Sequence, residues 1–448
     1  MHCPIPRSLA LAALFALPVT LSAQAAGKGG DALSAAERSL VRAVDTRASE
    51  GLALLERIVN INSGTMNFAG VRAVGDALRA EFDALGFTTR WVDGAPFERA
   101  GHLVAEFKGG GSGPHLLLIG HLDTVFEPGS PFQKFERLSD STARGPGIID
   151  MKGGDVIIVQ ALKALKATGA LADMHVSVIM HGDEEKAGTP QDLAREDIRS
   201  LAKGARYAIG FEDGSGDPRT AVVARRSAGG WVLTSTGIPA HSSQIFREDI
   251  GFGAIYESAR VLNAFRERLA TQQYLTFNPG VALGGTDVRL DSTVTDGAAS
   301  GKTNVVAKSM QVSGDIRTIS PEQLAESKRV MQDIAAQSLP GTTSRITFDD
   351  GYPPMAPTDG NRELLARYDQ VSRALGYGAV VAVDPSKAGA ADVSFVAPFV
   401  SAAIDGVGLA GWDDHTDKET ADLRMLAPLT KRAAVLLYRL HAEGRPKA

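Results

Sequence analysis

Three apolar runs in this 448-residue chain each end on an acid or a histidine. Residues 115–120 lead into His121 and Asp123, residues 175–180 into His181 through Glu185, and residues 207–211 into Glu212. Runs of this length, rich in Leu, Val and Ile, read as buried parallel strands. Ligands of open α/β sheets gather beyond the carboxyl ends of the strands, so three strands that stop on metal-type side chains point to one site. The chemistry implied is that of a metal-dependent hydrolase.

Taken singly, each residue also has a plainer reading. In His121-Leu122-Asp123 one intervening residue lets a ligand histidine and a carboxylate lie on the same side of the chain, where the acid orients the imidazole. Such a tripeptide is also common on surfaces and in cores. Asp150 sits in a glycine-bearing loop over residues 145–154 that permits close backbone approach, and in isolation it reads better as a helix cap. Asp183, Glu184 and Glu185 are adjacent acids that raise one another's pKa unless a cation sits among them. One of them can bind metal while a neighbour takes protons from water; a solvated loop is the competing account. Glu212 has Asp213 as an adjacent competitor. His415, in a loop over residues 411–418, reads by itself as a surface residue.

The elements that must position these groups follow from periodicity. Helical patterns cover 33–60, 71–85 and 154–168, and strand patterns cover 103–107, 116–119, 176–180 and 207–211. This alternation predicts an α/β fold whose catalytic domain has a mostly parallel sheet with helices on both faces. After Arg225 the texture changes: strand at 230–236, helix at 250–269, strands at 274–283 and 304–317, helix at 321–336, strand at 343–348. That βαββαβ order predicts an inserted ferredoxin-like lid domain. Helices at 364–375 and 423–441 and a strand at 399–404 complete the sheet pattern. The expected division is a signal peptide at 1–25, a catalytic domain split into an N-terminal segment at 33–226 and a C-terminal segment at 351–448, and between them a lid and dimerisation domain at 227–350.

Arg7, a short apolar stretch and Ala23-Gln24-Ala25 make the signal peptide, so the expected location is periplasmic or secreted, with no membrane attachment after cleavage. The only cysteine, Cys3, lies in that segment, which leaves neither disulfides nor a cysteine ligand or nucleophile. With 44% hydrophobic and 22% charged residues the composition is that of a globular enzyme. A net charge of −5 without a basic run argues against nucleic acid as a partner.

Together the motifs Gly-His-Leu-Asp-Thr-Val, Gly-Pro-Gly-Ile-Ile-Asp-Met-Lys-Gly-Gly, Asp-Glu-Glu, Phe-Glu and Asp-His-Thr-Asp-Lys resemble, in order, those of the M20 metallopeptidases, especially the glutamate carboxypeptidase branch. The resemblance covers nearly all of the chain beyond the signal. It implies two divalent metal ions: His121, Asp150 and Glu212 hold one, and Asp150, Glu185 and His415 hold the other, with Asp150 bridging. It also implies Asp123 behind His121, Glu184 as general base, and a cis peptide at Asp150–Met151. Two histidines and three carboxylates suit zinc, and cobalt or manganese fit the same donors. A branch that uses a cysteine ligand is excluded.

In the lid, Pro239-Ala240-His241-Ser242 resembles the histidine that polarises the scissile carbonyl, and in dimeric members reaches in from the other subunit. Asn304 and Arg317 match positions that hold a substrate's free carboxylate, which favours exopeptidase action; Arg317 could instead pair with Asp315. Arg225 and Arg226 could attract an acidic side chain or serve the hinge. The expected activity is hydrolysis of the amide bond to a C-terminal amino acid in a small peptide or N-acyl amino acid, by a homodimer joined through the lid. A deacylase or dipeptidase of the same fold is the nearest alternative. A metal- or peptide-binding protein with lapsed catalysis is the alternative of another class, opposed by Asp123 and Glu184, since a binder has no need of a base.

Overall fold

A computed structural model describes residues 32–443; the signal peptide read over 1–25, with Cys3, lies outside them. The central sheet has six strands, in the spatial order Thr88–Asp93, Gly101–Lys108, His175–His181, His115–His121, Tyr207–Gly210 and Ala402–Ile404. The last four are parallel to one another. Side chains of the His115–His121 strand alternate between two apolar clusters. Leu116 and Leu118 enter one and Leu117 and Ile119 the other, which is why the run is apolar throughout.

The first cluster packs the sheet against helices Ala35–Thr46, Ala48–Val59, Phe68–Leu85, Gly153–Ala167 and Leu426–Ala442. In the middle of that layer the Gly153–Ala167 helix buries twelve of its fifteen residues. The second cluster, with Ile198, Ala202, Val393 and Phe395, covers the opposite face. The α/β fold with helices on both faces is therefore present.

Two differences from the sequence expectation have physical causes. The 103–107 strand runs antiparallel to its neighbours because the 109–114 connection is too short for a crossover to a parallel partner. The helix expected over 33–60 is two, parted at Arg47, whose φ of −108° is not helical.

The inserted unit is a four-stranded antiparallel sheet ordered Thr276–Gly285, Ser309–Arg317, Ala228–Gly237, Thr342–Tyr352. Helices Gly253–Leu269 and Pro321–Ala336 pack on it around Trp231, Leu233, Phe265, Val312 and Met331. This is the βαββαβ order, with a hairpin of Asp287–Leu290 and Gly297–Ser300 added between its second and third strands. The strand expected from 304 begins at Ser309, which leaves Asn304 in the turn before it.

Register sets the site. His121 is paired with His181, and Ile119 is level with both Ile179 and Gly210, so the loops bearing Asp123, Glu184, Glu185 and Glu212 leave one edge of the sheet side by side. At Gly154 a Cβ would come 1.9 Å from the Phe211 carbonyl oxygen. Only glycine lets the helix that follows Asp150 press against the strand end that carries Glu212. Among the described residues no helix is long and apolar enough to cross a membrane.

Candidate metal centre

Asp150 lies between two histidines. Its Oδ1 is 3.1 Å from His121 Nε2 and its Oδ2 is 2.7 Å from His415 Nε2. Glu212 Oε1 lies 3.6 Å from His121 Nε2, and Glu185 Oε2 3.3 Å from His415 Nε2. The structure thus sets Asp150 and Glu212 beside His121, and Asp150 and Glu185 beside His415, with Glu185 also within 4.8 Å of the His121 and Asp150 ligand atoms. Glu184 joins the first group, offering an oxygen within 4.8 Å of His121 and Glu212 ligand atoms. Asp414, exposed, does the same beside Asp150 and His415; its signal in the sequence is only that it precedes His415.

Each side chain is aimed by its loop. The Asp150–Met151 peptide is cis. Glu419, wholly buried, accepts the N–H groups of Gly147 at 2.8 Å, Ile149 at 2.8 Å and Asp150 at 3.1 Å, and so fixes the loop that presents Asp150. His415 has a left-handed backbone at φ 58°, uncommon for a residue with a Cβ, which turns its half-exposed ring inward.

Asp123 meets His121 through its main-chain oxygen, not through the carboxylate expected to orient the ring. The His121 Nδ1 contact is to the Asp123 main-chain oxygen at 3.1 Å, with the carboxylate at 3.6 Å. That carboxylate accepts the Glu184 N–H at 3.0 Å, the Glu185 N–H at 3.1 Å and the Thr65 hydroxyl at 2.7 Å. Asp183, third of the acid triplet, turns away to Arg195 at 2.6 Å.

The charge balance calls for cations. Burial and the neighbouring acids push Glu185 and Glu212 up to about 7, and Glu184 well above the usual carboxylate range. Asp150 is held low: burial opposes ionisation, but hydrogen bonds from His121 and His415 outweigh it. The Asp150 and Glu185 carboxylates in turn lift His415 to about 11. Among the described residues no Lys or Arg forms an ion pair with these four acids, and Glu185 Oε1 is buried without a partner. Two imidazoles and clustered carboxylate oxygens are a donor set for two divalent ions, and such ions would neutralise the crowding.

The lid residues stand apart from this cluster. His241 is exposed, with Nδ1 2.9 Å from Ser243 Oγ, and bridges to Val305. The Asn304 carbonyl accepts the Ser242 N–H at 2.9 Å. Arg317 Nε donates to Asp315 at 3.2 Å. Their hydrogen bonds remain within the lid. Arg225 and Arg226 serve the hinge: Arg225 is buried with Nε 2.8 Å from Asp405, and Arg226 donates to Thr276 and to the Ser386 carbonyl. Sequence reasoning missed Glu419 and Asp405, whose carboxylates grip backbone hundreds of residues away.

The sequence profile of peptidase family M20/M25/M40 matches residues 117–439. Carboxypeptidase G2 of Pseudomonas sp. (strain RS-16) is 27% identical over 394 residues, 87% of this chain and 88% of that protein. Among solved structures, aminopeptidase PepT from Bacillus cereus superposes with a TM-score of 0.69 at 19% identity, covering 88% of this chain and 98% of that one. The Bacillus subtilis YXEP protein, described as a dinuclear metal binding peptidase from M20 family, superposes with a TM-score of 0.60 at 16% identity over 89% and 99% of the two chains.

Replacing Glu419 by Ala strands three buried N–H donors, and should cost about 3 kcal/mol of stability. Metal affinity should fall roughly 10- to 100-fold, because the loop that aims Asp150 loses its anchor. Denaturant unfolding of the metal-free protein and calorimetric metal titration measure the two separately.

Proposed function

Because the chain belongs to peptidase family M20/M25/M40, we propose that it is a di-metal exopeptidase that hydrolyses the amide bond to a C-terminal amino acid in a small peptide or N-acyl amino acid. The observation that carries this reading is Asp150, whose two oxygens each face a different histidine. His121, Asp150 and Glu212 would hold one ion and Asp150, Glu185 and His415 the other; zinc suits the donors best, with cobalt or manganese able to use them. When bound, the pair supplies Lewis acidity, polarising the scissile carbonyl and acidifying the attacking water.

The chain's own groups move the protons and hold the substrate. Glu184, its N–H held by Asp123, takes the proton of the attacking water and delivers it to the leaving amine, so that water and amide become a carboxylic acid and an amine. His241 donates a hydrogen bond to the oxygen on which charge develops. Asn304 and Arg317 receive the free carboxylate; the Arg317 side chain is 37% exposed and engages Asp315 through Nε.

His241 lies on an exposed part of the lid, which suits a homodimer that brings lid residues to a partner's site. Phe246, Ile255 and Tyr256, 56%, 47% and 53% exposed, give that lid surface the apolar character an interface needs. Export by the 1–25 signal, and hence a periplasmic or secreted location, belongs to the same proposal. The carboxypeptidase relative supports the choice of a C-terminal amide bond.

Chelation should abolish hydrolysis of N-acyl amino acids, and added zinc should restore it; full activity in metal-stripped protein would remove the mechanism. Glu184→Ala should retain both ions by elemental analysis yet lose at least roughly a thousandfold in kcat, in the range general-base catalysis contributes. Arg317→Ala should lower kcat/KM roughly 10- to 100-fold for substrates with a free α-carboxylate and leave their amidated counterparts unaffected. Equal effects on both would exclude carboxylate recognition by Arg317.

A further inference from the structure

The lid joins the rest of the chain through two adjacent strands, where Ala228 is paired with Tyr352. At this seam Gly351 has φ 49° and the register shifts between Asp349 and Tyr352. A Cβ on Gly351 would come 2.0 Å from the Ala228 carbonyl oxygen, so the irregularity that sets the direction of Tyr352 depends on glycine.

The Tyr352 hydroxyl leaves the lid altogether. It donates to the main-chain oxygen of Glu184 at 2.8 Å and accepts from Arg195 Nη2 at 2.7 Å. Arg195 is completely buried and also donates to Asp392 at 2.8 Å, to the Asp183 carboxylate at 2.6 Å and to the Asp183 carbonyl at 3.1 Å. The Tyr352 ring stacks edge-on against Phe395 at 5.1 Å. Both main-chain polar groups of Glu184 are therefore held by side chains: the N–H by Asp123 from the sheet edge, the C=O by Tyr352 from the lid seam.

We propose that Tyr352 is a positioning residue through which the seat of the lid fixes the Glu184 carboxylate for proton transfer. A buried, fully charged guanidinium is costly unless every donor has a partner. The Arg195 network meets that condition only while Tyr352 stays in place, so the network resists displacement of the hydroxyl. Proton transfer depends on placement to within a fraction of an ångström, and Tyr352 is the one group in that set that sits on the seam joining the lid to the catalytic segment. The inference rests on the peptidase reading and on Glu184 as its base.

The test is Tyr352→Phe, which deletes the hydroxyl and keeps the ring, in metal-loaded full-length protein. Expected are a kcat lower by roughly tenfold or more, KM within about twofold, and unchanged metal content. In a Glu184→Asp background, where the base is already displaced, Tyr352→Phe should cost less than about twofold more, because both changes act on one group. Phe395→Leu, which loosens packing but leaves the hydroxyl, should lower the thermal midpoint and keep kcat within about twofold.

An unchanged kcat in Tyr352→Phe, a full multiplicative loss in the double variant, or an equal kcat loss in Phe395→Leu would each overturn the positioning role while leaving the peptidase reading intact. Wild-type protein loaded with zinc that hydrolyses no peptide or N-acyl amino acid overturns the peptidase reading and this inference with it.

Discussion

A carboxylate has two oxygens, and it can serve two histidines on opposite sides only if its plane is fixed in both tilt and depth. Asp150 meets that condition through its backbone. Glu419 takes the three N–H groups of its loop. Lys152, wholly buried and pushed down to about 8 by that burial, donates to the carbonyls of Ile61 and Pro146 at 3.1 and 3.2 Å. Gly154 then lets the following helix close on the Phe211–Glu212 strand end. Each of these contacts bears on how Asp150 is presented to the two histidines.

Around that residue the fold concentrates negative charge in a way folding alone does not reward. Buried acids without counter-ions are destabilising, and here Glu184, Glu185 and Glu212 are all pushed upward in pKa. Three other buried acids are neutralised by arginine: Asp183 and Asp392 by Arg195, Asp405 by Arg225. The contrast between these arginine-paired acids and the unpaired Glu184, Glu185 and Glu212 supports cations in the centre.

Much of this architecture was readable in the residues because the signals are local. The runs at 116–119 and 176–180 are apolar on both faces, so buried strands followed, and their parallel register carried the end-of-strand acids to one edge. The βαββαβ order of the lid was equally legible from alternating periodicities. Less was visible where a partner lies far along the chain. Three adjacent acids at 183–185 look alike in sequence, yet Asp183 is claimed by Arg195, and nothing local distinguishes it from Glu184 and Glu185. Glu419 directly follows the 411–418 stretch read for His415, and Tyr352 lies just past the 343–348 strand read in the lid; each acts on backbone more than 160 positions away. The strand at 103–107 was read but its antiparallel direction was not, because periodicity reports burial and leaves direction to the length of the connections.

The proposed ligand set is also spread unevenly in time. His121, Asp150, Glu185 and Glu212 all precede the inserted lid, whereas His415 and the anchoring Glu419 come from its far side. During synthesis the first four can gather early, but Asp150 has no second histidine until almost the whole polypeptide has emerged. Loading of both proposed ions would thereby be a late event, and a prematurely terminated product would be left with half a centre.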